Sequence, residues 1–278
     1  MTGKDSAHML LTHEGVDLSY EVRGSGEPLL LIHGSGVPAA IWGRTIDDLA
    51  ADGHRVIAYD RRGYGASTHS PVRDYRHHVA DAIFMLERVA ARPATVVGWS
   101  SGANVALALT ADRPDLVQRL IVVEPPLHGL RHPTAGSLRM IGRAKWAQLR
   151  GRPEKSAEIF FRFVAGDESF QALPEHEQNM IRAHASNILA ELDPHPFGAM
   201  FEHFPIRRIS DIEVPITFLI GANSDAFFHE VHQRITVAVP SIHTEVISDA
   251  GHLLHIEAPD AFAAAIRTAM SDHHNGRR

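Results

Sequence analysis

The sequence contains no cysteine, so disulfides and thiolate metal sites are both excluded, and the chain suits a reducing compartment. It has no long basic run and a net charge of −6, which argues against nucleic acid as its main partner. No apolar stretch approaches the ~20 residues that cross a bilayer. Residues 1–8 are polar and lack the apolar segment of a secretory signal. These absences predict a cytoplasmic protein with neither nucleic acid nor membrane as partner. Twenty histidines are present, yet no HExxH pattern accompanies them. His252 and His255 come nearest to ligand spacing, and His273 and His274 lie in a polar tail. Surface and loop positions account for most of the histidines, and no metal or other cofactor is expected.

What remains is an ordinary globular composition, 44% hydrophobic and 22% charged over 278 residues, enough for one catalytic domain with an insertion. Short apolar runs alternate with helical patterns. Predicted strands are 16–22, 29–32, 55–59, 95–98, 120–123, 216–220 and 244–247, and predicted helices 39–51, 77–90, 101–111, 227–238 and 258–270. Several strands are near-continuous Val/Ile/Leu runs, as expected when helices cover both faces of a parallel sheet. The alternation implies right-handed crossovers and an α/β fold with a doubly wound, mostly parallel sheet. From 127 to 208 the alternation fails, and helical stretches appear at 137–150, 153–164 and 174–189. This predicts a helical cap over 127–208, inserted into a core made of 1–126 and 209–278. Its aromatic residues Trp146, Phe160, Phe161, Phe163 and Phe197 either line an apolar pocket or pack the cap onto the core, and packing is the preferred reading.

Gly98-Trp99-Ser100-Ser101-Gly102 lies between a Val-rich strand and an Ala/Leu-rich helix. A serine on so tight a turn is lifted above the sheet, and the flanking glycines avoid side-chain collisions. Ser100 is the candidate nucleophile. Leu29–Ile32 runs into His33-Gly34-Ser35-Gly36, a loop able to aim a backbone N–H at a substrate carbonyl. The candidate oxyanion donors are the N–H groups of Ser35, with Gly34 as its alternative, and of Ser101. Asp249-Ala250-Gly251-His252 follows the last strand, which makes His252 the candidate base; His255 is its rival and reads as packing.

These blocks, with Asp60-Arg61-Arg62-Gly63-Tyr64-Gly65-Ala66-Ser67 and Glu257-Ala258-Pro259, resemble the α/β-hydrolase superfamily along nearly the whole chain. The resemblance implies a serine hydrolase in which 60–67 is a structural loop without chemistry. Two carboxylates could complete the triad. Asp225 follows the penultimate strand, the usual position in the superfamily, but stands four residues after Gly221 rather than three. Glu124 ends the strand beside the elbow strand, and adjacent strands lie ~4.8 Å apart. Ser100-Ser101-Gly102-Ala103 with Glu124 before proline resembles the zearalenone-type lactonases, whose acid is a glutamate after this same strand. Trp99 departs from that group, which has cysteine there. Glu124 is preferred and Asp225 stays as the alternative.

A serine, a histidine and a carboxylate imply acyl transfer to water on an ester or lactone, and the aromatic content of the cap suggests a hydrophobic small molecule as the substrate. Carbon–carbon bond hydrolysis, cofactor-free perhydrolysis and acyl transfer to a substrate hydroxyl would use the same residues. A ligand-binding receptor on this fold is an alternative of another class, and a broken triad would mark it.

Overall fold

The computed structural model describes residues 8–69, 72, 74–127, 135–191 and 204–271. Among the described residues eight strands form one sheet: β1 (Met9–His13), β2 (Val16–Arg23), β3 (Glu27–Ile32), β4 (His54–Tyr59), β5 (Ala94–Trp99), β6 (Val117–Val123), β7 (Ile216–Gly221) and β8 (His243–Ile247). Their order is β1-β2-β4-β3-β5-β6-β7-β8. β1 and β2 pair antiparallel at one edge, and every pairing from β4 to β8 is parallel. β1 was not predicted; its residues are mostly exposed, so it lacks the apolar run that marks its neighbours.

The helices outside the inserted region are α1 (Arg44–Ala51), α2 (Arg76–Met85), α3 (Ser101–Asp112), α9 (Ala226–Ala238), α10 (Leu254–Glu257) and α11 (Pro259–Ser271). The helix predicted over 39–51 is divided at Gly43, whose φ of 49° ends a short 3-10 turn before α1 begins. Alternate strand residues feed two cores. Leu29 and Leu31 of β3 join Val97, Ile121 and Leu219 on the face covered by α1 and α11. Leu30 and Ile32 join Val96, Leu120 and Phe218 on the face covered by α2, α3 and α9. The period of two along each strand, with both faces apolar, is what a sheet between two helical layers requires.

Between β6 and β7 lie α4 (Ala135–Leu149), α5 (Pro153–Ala165), α6 (Asp167–Ala172), α7 (Glu175–Ala183) and α8 (Ala185–Glu191), with no strand among the described residues. Phe160 and Phe161 of α5, Phe170 of α6 and Ile188 of α8 are buried in the core that also holds α1 and α11. Trp146 and Phe163 point outward instead, and Phe197 lies outside the described residues. Of the five aromatics, two therefore pack inward as expected and two do not.

Candidate active site

β5 ends at Trp99, and α3 begins at Ser101. Ser100 between them has φ 54° and ψ −126°, a strained backbone for a side chain other than glycine. The turn is anchored by its N–H, which donates to the Val123 carbonyl at 2.8 Å. A Cβ on Gly98 would stand 2.5 Å from the Gly102 carbonyl oxygen, and one on Gly102 would stand 2.2 Å from that of Ile32. Both glycines are needed because backbone passes where a side chain would be.

β6 pairs with β5 so that Val123 lies beside Trp99, and Glu124 follows at the same sheet edge. Glu124 is fully buried and has φ 46°, again a left-handed backbone outside glycine. Its Oε1 accepts from the Gly221 N–H at 2.8 Å and from the Ser224 hydroxyl. Its Oε2 lies 2.6 Å from His252 Nδ1, and His252 Nε2 lies 3.1 Å from Ser100 Oγ. An ionised carboxylate can only accept, so Nδ1 carries the proton and Nε2 presents a lone pair to the serine hydroxyl.

Asp225, the alternative acid, takes no part in these bonds. It is the N-cap of α9, its carboxylate accepting from the Phe227 N–H at 2.9 Å. The extra residue after Gly221 explains this: Ser224 reaches Glu124, and Asp225 is carried on to the helix start. The loop after β8 holds His252 through further contacts. Trp99 Nε1 donates to the His252 carbonyl at 2.8 Å. Phe228 of α9 stacks on the imidazole with centroids 4.2 Å apart and planes within 12°. His255 is buried among Trp42, Trp99 and Phe262, with neither ring nitrogen hydrogen-bonded. Burial, helped by nearby His252, pushes its pKa down to about 3, so it is a neutral core residue, as the sequence suggested.

On the other side of Ser100, the peptide after Gly34 is held by its carbonyl. His33 Nδ1–H donates to it at 2.8 Å and Arg61 Nη2 at 3.0 Å. His33 Nε2 accepts from the Arg61 N–H at 2.9 Å, and burial lowers the His33 pKa well below its usual value, with Arg61 adding to the effect. In a trans peptide the N–H points opposite to the carbonyl. The Ser35 N–H is thereby turned away from Arg61. Ser35 Oγ donates to Ser101 Oγ at 2.7 Å, tying the two loops that carry the candidate donors. Arg61 Nη2 lies 3.2 Å from Ser101 Oγ and 3.5 Å from Glu191 of α8.

The 60–67 loop is structural at Asp60, whose carboxylate accepts from the Ala39 and Ala66 N–H groups at 2.7 and 2.8 Å. Its Arg61 was missed. Arg61 and Glu191 form a buried charged pair beside Ser101, with the His78 ring 3.7 Å from Glu191. Burial alone would raise the Glu191 pKa, but the Arg61 charge and the His78 ring hold it down to about 2. The doubled arginine after an apolar strand was the available signal. Arg62 is occupied by Asp81, to which Nε donates at 2.6 Å, and the neighbouring Arg61 is left facing inward.

An open parallel sheet of this order, with serine on the strand-to-helix turn and histidine after the last strand, is the architecture of the α/β hydrolases. The chain belongs to the alpha/beta hydrolase family, whose sequence profile matches residues 29–265. It is 27% identical over 251 residues to "Esterase YbfF" of Escherichia coli, covering 89% of this chain and 94% of that one. It is 37% identical over 264 residues to a "Pimeloyl-[acyl-carrier protein] methyl ester esterase" of Vibrio atlanticus, covering 90% and 96%. A hydrolase from Pseudomonas aeruginosa superposes with a TM-score of 0.79 at 20% identity, covering 96% of this chain and 100% of the other.

Proposed function

We propose that this protein hydrolyses carboxylic esters or lactones of hydrophobic small molecules, with Ser100 as nucleophile, His252 as base and Glu124 as acid. The observation that carries this reading is the unbroken hydrogen-bond line from Ser100 through His252 to Glu124, at 3.1 and 2.6 Å, built from the ends of three separate strands. Ser100 Oγ attacks the acyl carbon as its proton passes to His252 Nε2. The N–H groups of Ser35 and Ser101 stabilise the oxyanion, and the start of α3 adds its positive end. Collapse expels the alkoxide, which takes the proton from His252. Water, deprotonated by the same nitrogen, then releases the acid and restores Ser100. Glu124 holds the Nδ1–H tautomer and balances the imidazolium. Its assignment agrees with the glutamate that the lactonase resemblance implies.

The ester class is supported by the activities named for the two relatives. Support for an apolar substrate comes from the wall of the site. Ile188 of α8 and Phe161 of α5 lie over Gly36 of the oxyanion loop, and Phe228 flanks His252. The test is release of nitrophenol from p-nitrophenyl esters of graded chain length, beside Ser100→Ala, with intact-mass detection of an acyl adduct. Turnover that survives in Ser100→Ala would overturn the mechanism. An adduct on Ser100 with no lactone or ester turnover would overturn the substrate class.

A further inference from the structure

The amphipathic pattern of α4 faces outward as well as inward. Ser137, Met140, Ala144 and Ala147 are buried. The opposite stripe is Leu138, Gly142, Trp146 and Leu149, at spacings of four, four and three, which fall on one side of a helix. Leu138 is 57% exposed, Trp146 63% and Leu149 81%. Cations border this stripe: Lys145 on one edge, Arg139 and Arg143 on the other, and Arg150 just past the helix end. Residues 135–155 hold six Lys or Arg and one Glu, a net +5 on a chain whose total is −6. Lys155 is paired with Glu158. Among the described residues, no carboxylate lies within ion-pair distance of Arg139, Arg143, Lys145, Arg150 or Arg152. Arg150 instead lies over the Trp146 ring at 5.6 Å. Arg143, Arg150, Arg152 and Lys155, with Trp146 and Ala147, line a surface groove of about 270 Å³.

We propose that α4 docks the protein on the surface of an anionic phospholipid bilayer, with the Leu138–Trp146–Leu149 stripe in the headgroup–acyl boundary. Arg143, Arg150 and Arg152 would then engage lipid phosphates. A helix lying in the interface needs an apolar crest, Trp or Leu at its centre and cations along the polar flanks, and it needs no membrane-spanning length. The observed order of residues around α4 is that order. An acidic protein partner would match the cations, but it gives no reason for three large apolar side chains on the crest between them. The expectation that no membrane is involved rests on the lack of a span, and among the described residues no helix is long and apolar enough to cross one. Surface docking is a separate property, independent of the catalytic reading.

Trp42 and Trp99 are both 1% exposed, so a change in tryptophan emission on binding reports Trp146. The experiment mixes the full chain with vesicles of phosphatidylcholine alone or with phosphatidylglycerol added, reading sedimentation and emission at low and high salt. Binding is expected only to the anionic vesicles, with a blue shift, and weakened by salt. Arg143→Glu/Arg150→Glu should weaken it roughly tenfold or more, and Leu138→Ser/Leu149→Ser should abolish the blue shift. The melting temperatures should stay unchanged in both, because these side chains face solvent. No binding to anionic vesicles, or binding that both variants retain, would overturn the proposal. Binding to poly-glutamate but not to vesicles would overturn it in favour of an acidic protein.

Discussion

The indole N–H of Trp99 donates to the carbonyl of His252 at 2.8 Å. The residue just before Ser100 therefore holds the backbone of His252, so the strand-to-helix turn and the loop after β8 are one unit. Replacing Trp99 by Phe keeps the ring in its buried place but strands a carbonyl. An unsatisfied buried acceptor costs about 1–3 kcal/mol. Trp99→Phe is expected to unfold at lower temperature and to lose kcat more than KM, measured by calorimetry and steady-state ester hydrolysis.

The two carboxylates should separate cleanly. Glu124→Gln keeps the shape but places an amide against His252 Nδ1, favouring the wrong tautomer. A loss in kcat on the order of 10³–10⁴ is expected, by analogy with amide replacement of a triad carboxylate. Asp225→Asn leaves the α9 cap in place, since Asn caps as well as Asp. Its activity and melting temperature should stay close to the parent. A larger loss in Asp225→Asn than in Glu124→Gln would reverse the assignment.

Arg61 and Glu191 are buried together, at 1% and 3% exposure. Removing one partner leaves an unpaired buried charge, which costs about 3–5 kcal/mol. Arg61→Met should therefore destabilise strongly, Glu191→Gln likewise, and the double substitution should cost less than the sum of the two. Denaturant unfolding of the four proteins measures the coupling. Because Arg61 also holds the Gly34 carbonyl, Arg61→Met should lower kcat beyond the effect of Glu191→Gln.

Stability should fall on acidification. His33, His78 and His255 are all held below their ordinary value of 6.5, by burial first, with Arg61 adding to the effect at His33 and His78. The unfolded chain takes up these protons as pH drops below about 6.5, while the folded protein does not, so stability is lost down through the folded values, about 3 for His255. Glu191, held down to about 2, adds to the loss only below its ordinary 4.5. Between pH 6.5 and 5, His255→Leu should make the dependence shallower, by an amount that rises to about 1.4 kcal/mol per pH unit toward pH 5. Urea midpoints across that range give the slope.

Local sequence signals are enough for the parallel sheet and for the position of the candidate nucleophile. Val/Ile/Leu runs of strand length and a glycine on either side of Ser100 are local signals, because burial on two faces and the close approach at Gly98 and Gly102 demand those residue types. The sequence also places His252, through the loop that must leave the last strand. For the candidate acid the sequence offers two residues with a preference for Glu124, since strand order brings both Glu124 and Asp225 to one edge of the sheet. Which of them faces His252 depends on a positive φ at residue 124 and on one residue of loop after Gly221, and neither is written in composition or period. Phe228, the Trp99–His252 bond and the Arg61–Glu191 pair join elements far apart in the chain. The outward stripe of α4 lies in a single helix, yet only packing reveals which of its two apolar faces the core takes up. Such pairings are set by the way layers close on one another, so the tertiary structure alone decided them.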